Sequence, residues 1–285
     1  MNIPDDPSLP FFTYGLFRPG QIGFNNIRHF VQASEPDWTT EGELLERDGL
    51  PLLAPGCNHV EGWLIRFDPA SAIPAYTAIN AIEPDRLYVW KTAEVRRQKH
   101  TEQANTLFGR KPRKGSIHPE YRIWQGEKEP LFTSALDVIR KSLERYRQFE
   151  WHMEPFFQLQ MAYMLLWCAI ERFVSFKYHL GENVTGKVLN LAEDPVFAEA
   201  LRQRVKERRE VFRSDDPEQK EVLRPDDPRK ALKYYYQVRS NITHRGKTAI
   251  SDHQMLLASL DELFDIFKVV LESEFSPNQG TSTDG

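Results

Sequence analysis

The chain has 285 residues, and its 37 lysines and arginines against 41 aspartates and glutamates leave a formal net charge of −4. This balance excludes a globally basic protein, so any contact with nucleic acid requires a local basic patch. The two cysteines, Cys57 and Cys168, lack motif spacing, which argues against a disulfide scaffold or a zinc site and fits a reducing cytoplasm. The longest uncharged run, Pro155–Ile170, is too short to span a bilayer comfortably, so we expect a cytoplasmic protein without membrane contact. We also expect neither a metal ion nor a cofactor.

The first 125 residues show short stretches of strand character separated by turns. Runs of apolar and β-branched residues bounded by glycine and proline predict strands, whereas apolar residues recurring every three to four positions predict helices. We therefore expect strands at Phe11–Tyr14, Trp38–Leu45, Leu50–Ala54, Val60–Phe67 and Leu87–Val95, and helices at Gln21–Gln32 and Ala70–Ile82. Residues 101–130 carry little pattern and are predicted to form a loop that contains a domain boundary. Together these elements predict a compact α+β sheet or barrel domain over residues 8–125.

From Leu131 onward the apolar residues recur with a helical period. The first predicted helix starts there, and the others cover Pro155–Gly181, Pro195–Phe212, Pro228–Arg245 and Ser251–Phe275. The second of these is apolar nearly all round, which is typical of the centre of a bundle. The pattern therefore predicts an all-α helical bundle over residues 131–275, followed by a disordered tail at 276–285.

Three polar residues near the end of the fourth helix form the C-terminal candidate site. Asn241 and His244 share a helix face, but Arg239 and His244 lie five positions and about 140° apart. That pair can act together if the helix loosens near His244, or if two copies of the helix meet in a shared cleft. A histidine that moves a proton and a guanidinium that holds a phosphate are what metal-free RNA cleavage needs. By spacing alone, the alternative remains open that Asn241 and His244 only hydrogen-bond the end of the helix.

The segment Arg239-Ser-Asn-Ile-Thr-His244 resembles the R-x4-6-H signature of HEPN domains, and the apolar helix containing Leu166–Glu171 is similar to their core helix. The likeness covers about Gln148–Leu271. It implies an all-α bundle, frequently dimeric, in a family that includes many RNA-cleaving toxins and defence nucleases as well as members that are not nucleases. In that family's terms Arg239 and His244 would be the catalytic pair, and Asn241 the supporting polar residue.

The N-terminal candidate site combines a turn with a carboxylate. The Tyr14-Gly15 pair follows the first strand in a loop whose backbone N–H groups can cradle a carboxylate or an oxyanion, although an ordinary strand-to-helix turn would show the same pattern. Glu83 lies between a short apolar helix and a strand. Burial beside Tyr88 or Trp90 would suit it to general acid–base catalysis, and the alternative is a solvated carboxylate at a turn.

Several separated pieces resemble gamma-glutamylcyclotransferase-like domains in their order and spacing. The pieces are Tyr14–Gly20, Gly49–Gly56, Val60–Leu64, Glu83 and Tyr88, and the likeness covers about residues 11–97. It implies that this half is a small α+β barrel. In that family the tyrosine-glycine loop holds a γ-glutamyl group, and the glutamate moves a proton while the substrate's own α-amine attacks its γ-carbonyl and releases 5-oxoproline.

The resemblance implies a role for each matching residue. Glu83 would be the general base and acid, and the substrate would be held by Tyr14, Gly15, Leu16 and Tyr88. The chain departs from the family in having Leu16 where a small hydroxyl residue is usual. It also has a proline, in place of the usual glycine, directly after the glutamate. Both departures alter the pocket around the proposed chemistry.

Three functions follow from these two candidate sites. In the first, the HEPN-like bundle is a metal-independent, RNA-binding ribonuclease that works as a homodimer, with the gamma-glutamylcyclotransferase-like domain as its sensor or regulator. In the second, Glu83 serves a gamma-glutamylcyclotransferase-type enzyme for a γ-glutamyl small molecule, and the bundle dimerises or binds a partner. In the third, neither site is catalytic and the protein binds a ligand or a partner. The segment Arg202–Arg213 is either a solvated helix face or an RNA-contacting stripe.

Overall fold

The structure, a computed structural model, describes most of the chain in two compact units. The N-terminal unit lies within residues 1–127, and the C-terminal unit lies within residues 128–178 and 182–274. The residues described are 2–47, 50–83, 87–110, 124, 126, 131–148, 153–178, 184–213, 216, 218–245 and 253–275.

The N-terminal unit is built on a five-stranded mixed sheet among the described residues. Its strands are Phe11–Thr13 (β1), Val31–Arg47 (β2), Leu50–Phe67 (β3), Tyr88–Arg97 (β4) and His100–Gly109 (β5), with one helix, Ala72–Ile82 (α1). The strand order is β1-β3-β2-β4-β5, and neighbours in this order are antiparallel. Two isolated parallel pairings, Phe11 with Asn105 and Leu53 with Phe108, bring β5 round to β1 and β3 and close the sheet.

Alternation along the strands explains how this sheet folds. Side chains of successive residues point to opposite faces, so one apolar set from each strand is buried. The interior cluster contains Phe12, Trp38, Leu64 and Val95, and Tyr14 belongs to it directly after β1. The candidate turn therefore begins inside the core of the unit.

The C-terminal unit consists mainly of helices. The described elements are Ser134–Gln148 (α2), Met153–Lys177 (α3), Val184–Asn190 (α4), Pro195–Arg204 (α5), Arg209–Phe212 (β6), Lys220–Leu223 (β7), Pro228–Arg245 (α6) and His253–Phe275 (α7). Helix α3 packs on α7 through an edge-to-face pair, Phe173 and Phe267, with ring centroids 5.6 Å apart. It is tied to α6 by the Tyr163 hydroxyl, which donates to the carbonyl oxygen of Tyr235 at 2.8 Å.

The predicted fold class, a small barrel followed by an all-α bundle, is wrong. The N-terminal strands form a mixed sheet whose closure depends on two single-residue pairings rather than on a continuous hydrogen-bonded ladder. The C-terminal unit is not all-α, because β6 and β7 pair antiparallel between α5 and α6. The architecture of the described residues is therefore α+β in both units.

Several predicted elements also differ from the observed ones. The predicted helix Pro195–Phe212 ends at Arg204, and its last four residues are β6. The predicted helix Gln21–Gln32 is replaced by two short 3-10 helices, and the predicted loop at 101–130 begins with strand β5. Helix α3 is not covered on all sides, because Phe157 and Met161 are exposed.

Among the described helices, none combines the length and the apolar character needed to cross a membrane.

Candidate active site

Glu83 is buried at the end of helix α1. The helix packs one face inward through Ala75, Tyr76 and Ile79, all fully buried, and this places its C-terminal end against the sheet. The Glu83 N–H donates to the carbonyl oxygen of Ile79 at 2.9 Å, and the residue is only 4% exposed. The alternative of a solvated carboxylate is therefore wrong.

A small cavity lies beside Glu83. Its walls are the segment Phe11–Phe17 together with Pro51, Glu83, Tyr88 and Leu107. The cavity measures about 20 Å³, which is room for about one water molecule. The structure thus brings together Glu83, Tyr14, Gly15, Leu16 and Tyr88, whereas Trp90, the other aromatic residue considered beside Glu83, is not part of the cavity wall.

Two tyrosines form a rigid frame around the carboxylate. The Tyr14 hydroxyl donates to the carbonyl oxygen of Leu107 at 2.6 Å and accepts from the Leu53 N–H at 2.9 Å, and the Tyr88 hydroxyl donates to the carbonyl oxygen of Pro51 at 2.7 Å. Burial, and secondarily the nearby Glu83 carboxylate, raises the pKa of both tyrosines well above the ordinary value. Both side chains therefore stay neutral, and their hydroxyl protons are already committed to the backbone.

The turn after Tyr14 carries backbone donors next to the cavity. The Gly15 carbonyl oxygen accepts from the Arg18 N–H at 3.2 Å, and the Leu16 carbonyl oxygen accepts from the Gly23 N–H at 2.9 Å. In the described part of the chain, the N–H groups of Gly15, Leu16 and Phe17 have no hydrogen-bond partner. Successive N–H groups in a turn form a concave site for an oxyanion or a carboxylate.

The first position of this turn must be glycine because of a close approach. A Cβ atom on Gly15 would lie 2.5 Å from the Cγ atom of Pro51, a distance that real Cβ contacts do not show. At the next position Leu16 is 3% exposed, and it lines the cavity together with its buried neighbour Phe17.

The C-terminal candidate residues are mostly engaged by their surroundings. Arg239 pairs with Glu171 on α3, with 3.4 Å between Nη2 and Oε1, and its guanidinium lies over the ring of Tyr236. The Asn241 side chain donates from Nδ2 to the carbonyl oxygen of Phe212 at 2.9 Å, and its Oδ1 accepts from Gln237 at 2.8 Å. Asn241 therefore holds strand β6 against the end of α6.

The structure does not join Arg239 and His244 in one helix-borne site. Helix α6 continues through both residues to Arg245, so the loosening near His244 that a site on a single helix would require is absent from this helix. Five positions on a continuous helix leave the two directions about 140° apart. The side chain of His244 lies outside the described residues.

The arginine-rich segment is largely neutralised by acidic partners. Arg202 pairs with Glu199 on its own helix, and Arg204 pairs with Asp265 on α7. Arg209 contacts Glu262 with both terminal nitrogens. The pairs made by Arg202 and Arg204 favour a solvated face over an RNA-contacting stripe, whereas Arg209 is partly buried against Glu262 and belongs to strand β6.

Sequence reasoning missed three contributors to these sites. Arg18 lies within the segment Tyr14–Gly20 but was assigned no role, because a single buried arginine does not alter the periodicity of the apolar residues. Gly23, whose Cβ would lie 2.8 Å from the Leu16 carbonyl oxygen, was hidden in the predicted helix. Glu171, the partner of Arg239, belonged to the quoted core helix without a function.

In the described part of the chain, no group of three or more His, Cys, Asp or Glu residues is arranged to hold a metal ion. Comparison with protein families, with curated proteins and with solved structures finds no match for this chain. The two family resemblances therefore rest on the residues quoted for them.

Proposed function

We propose that the N-terminal unit is a gamma-glutamylcyclotransferase-type enzyme in which Glu83 is the general base and acid. One observation carries the proposal: the buried Glu83 carboxylate shares a small cavity with the turn whose N–H groups at Gly15, Leu16 and Phe17 lack partners among the described residues. A proton-transferring group beside preorganised donors is the arrangement that acyl transfer requires.

The proposed reaction is an intramolecular acyl transfer. The α-amine of a γ-glutamyl compound attacks its own γ-carbonyl carbon, a new C–N bond forms, and Glu83 takes the proton released by the amine. The carbonyl oxygen becomes an oxyanion and accepts hydrogen bonds from the turn. The original γ-amide bond then breaks, Glu83 returns the proton to the leaving nitrogen, and 5-oxoproline and a free amine are released.

The substrate has to displace side chains that now fill the site. A cavity of about 20 Å³ is far smaller than the 300–1,000 Å³ of typical ligand sites. Leu16 and Phe17 are both buried side chains of the turn, so their outward movement is the simplest way to make room.

The test is release of 5-oxoproline from a panel of γ-glutamyl dipeptides and γ-glutamyl amines. Glu83→Gln keeps the shape of the side chain but removes the base, and we expect a loss of at least about 100-fold in kcat. Glu94→Gln on β4, whose side chain is 45% exposed, is the matched control and should keep the wild-type rate. Full activity of Glu83→Gln, or no release by the wild type from any compound, would overturn the proposal.

A ribonuclease in the C-terminal unit is the second candidate. The observation in its favour is that Arg239 is fixed by Glu171 and Tyr236 yet keeps 24% of its side chain exposed, as a phosphate-binding cation would need. Because α6 is continuous, a shared site would combine Arg239 of one copy with His244 of another, and the homodimer is part of this candidate.

Cleavage of RNA in the presence of EDTA tests the second candidate. His244→Ala and Arg239→Ala should each abolish cleavage, while Glu83→Gln should retain it. Equal cleavage by all three variants would point to a contaminating nuclease and reject the candidate. If neither assay shows turnover, binding of a γ-glutamyl compound or of RNA without catalysis becomes the proposed role. We also propose that the protein is cytoplasmic, which is supported by the free and exposed thiols of Cys57 and Cys168.

A further inference from the structure

We propose that Arg18 is a positioning residue, which orients and polarises the Gly15–Leu16 peptide group so that the Leu16 N–H serves as the principal anion donor of the cavity. The inference rests on the proposed function for the identity of the anion, the oxyanion of the γ-carbonyl. The geometry of the turn carries it independently of any turnover.

The Arg18 side chain is held within the N-terminal unit. The residue is 7% exposed, and its Nε donates to the carbonyl oxygen of Gly15 over 3.4 Å. The same oxygen accepts the Arg18 backbone N–H at 3.2 Å, and Nη2 donates to the carbonyl oxygen of Trp124. The guanidinium is thus anchored at Trp124 while it contacts the back of the turn.

The direction of the Leu16 N–H follows from peptide geometry. In a trans peptide group the N–H points opposite to the carbonyl oxygen of the preceding residue. The Gly15 carbonyl oxygen faces Arg18, which is not part of the cavity wall, whereas Gly15 and Leu16 are part of it. The Leu16 N–H is therefore directed away from Arg18, and the proposal requires that it face the cavity that Gly15 and Leu16 line.

The next peptide group is held in the same manner but by a neutral donor. The Leu16 carbonyl oxygen accepts the Gly23 N–H at 2.9 Å, which fixes the direction of the Phe17 N–H. Each of the two consecutive carbonyl groups is thus held by a hydrogen bond, and each bond fixes the direction of the N–H group in the same peptide. Of the Leu16 and Phe17 N–H groups, only that of Leu16 belongs to a peptide group whose carbonyl oxygen accepts a hydrogen bond from a charged side chain, Arg18.

A charged donor on a carbonyl oxygen strengthens the donor at the other end of the same peptide. Hydrogen bonds to ionised groups are about twice as strong as neutral ones, and linked hydrogen bonds in a low-dielectric interior polarise one another. The positive charge also lies behind the position where negative charge develops, without touching the substrate. These effects act on the transition state more than on substrate binding.

The experiment compares Arg18→Gln and Arg18→Lys with the wild type, and uses Arg28→Gln as a matched control. Arg28 is exposed and lies in the same segment. The first readout needs no substrate: it is the amide proton shift of Leu16 in a two-dimensional ¹H–¹⁵N spectrum. We expect the Leu16 resonance to move upfield in Arg18→Gln, to move less in Arg18→Lys, and to stay in place in Arg28→Gln. The Phe17 resonance should move less than that of Leu16.

The second readout is the kinetics of 5-oxoproline release. We expect kcat to fall about tenfold in Arg18→Gln with little change in KM, and Arg18→Lys to recover part of the loss. A Leu16 resonance that does not move in folded Arg18→Gln would overturn the inference; if that variant fails to fold, Arg18→Lys decides by the same criterion. A Leu16 shift without turnover by the wild type would reject the proposed function and leave the positioning role of Arg18 standing.

Discussion

The two candidate sites differ in how many of their polar groups the fold itself uses. Around Glu83, three consecutive backbone N–H groups beside a cavity have no partner in the described part of the chain. On α6, Arg239 is paired with Glu171, and Asn241 binds a carbonyl oxygen of β6. The first site keeps hydrogen-bonding capacity for a ligand, whereas much of the second holds secondary structure elements together.

The difference has an energetic meaning. A buried donor without a partner costs about 1–3 kcal/mol, so a fold does not retain several of them without a compensating role. A satisfied polar contact, in contrast, needs no explanation beyond stability. Polar capacity left over beside a cavity is therefore a better guide to function here than the presence of a motif.

The largest expected effect concerns the partly buried ion pair between Arg209 and Glu262, which holds β6 in the C-terminal unit. Glu262→Ala leaves the Arg209 guanidinium and the Tyr235 hydroxyl without their carboxylate, and we expect a loss of about 3 kcal/mol in the free energy of unfolding. Hydrogen exchange of the C-terminal unit measures it, since global unfolding of a two-unit chain is not a single transition.

The control for this variant is Glu272→Ala on the same helix, where the side chain is 63% exposed and a change below about 0.5 kcal/mol is expected. Release of 5-oxoproline should be unaffected by either substitution. Equal stability of the two variants would show that the polar cluster under β6 is not structural, and the contrast between the units would fail.

A smaller effect is expected for the frame of the N-terminal site. Tyr14→Phe removes a buried hydroxyl that hydrogen-bonds both the Leu53 N–H and the Leu107 carbonyl oxygen. We expect the free energy of unfolding of the N-terminal unit to fall by about 2 kcal/mol. Exchange rates of the β3 and β5 amides measure it.

The same variant has a predicted pH signature. Because burial raises the pKa of Tyr14, the folded protein keeps its proton above about pH 10, where an unfolded tyrosine loses it. The contribution of the protonated Tyr14 hydroxyl to the free energy of unfolding is fully present below that pH, and it is lost as the pH rises further. The drop in stability between about pH 8 and about pH 11 should therefore be smaller in Tyr14→Phe than in the wild type. An identical drop in both proteins would contradict the assignment.

The smallest effect is expected at Asn241. Asn241→Ala removes the hydrogen bond to the Phe212 carbonyl oxygen at a partly exposed position. The free energy of unfolding should fall by about 1 kcal/mol, and the backbone amides of β6 should exchange hydrogen faster. Thr243→Ala, two positions further along the exposed side of α6, should leave β6 unchanged. If exchange in β6 is the same in both variants, the amide is not structural and its assignment to catalysis regains support.

Helix α6 shows what was predictable from local sequence. Its predicted bounds, Pro228–Arg245, are those observed. Proline suits the first turn of a helix, and the Asp227 carboxylate accepts the Lys230 N–H at 3.0 Å as an N-terminal cap. Helix α1 was also predicted to within two residues, because its apolar residues recur with a helical period.

Strands β5 and β6 show where local reasoning failed. Most of His100–Gly109 is polar, and it becomes a strand because it pairs with β4 along its whole length. Strand β6 is four residues long inside an arginine-rich run, too short for its alternation to be told from a helix. Its position depends on contacts with Glu262 and Asn241, both distant in sequence.

By itself the sequence determined the local choices of this protein: the periodic helices, the tyrosine-glycine turn, and Glu83 as a carboxylate between a helix and a strand. These depend on nearby residues, whose periodicity and capping act over a few positions. Only the tertiary structure decided that Glu83 is buried, that Arg18 contacts the back of the turn, and that Asn241 is occupied by β6. Burial and hydrogen-bond satisfaction depend on which distant segments meet, and that information is not contained in any local pattern.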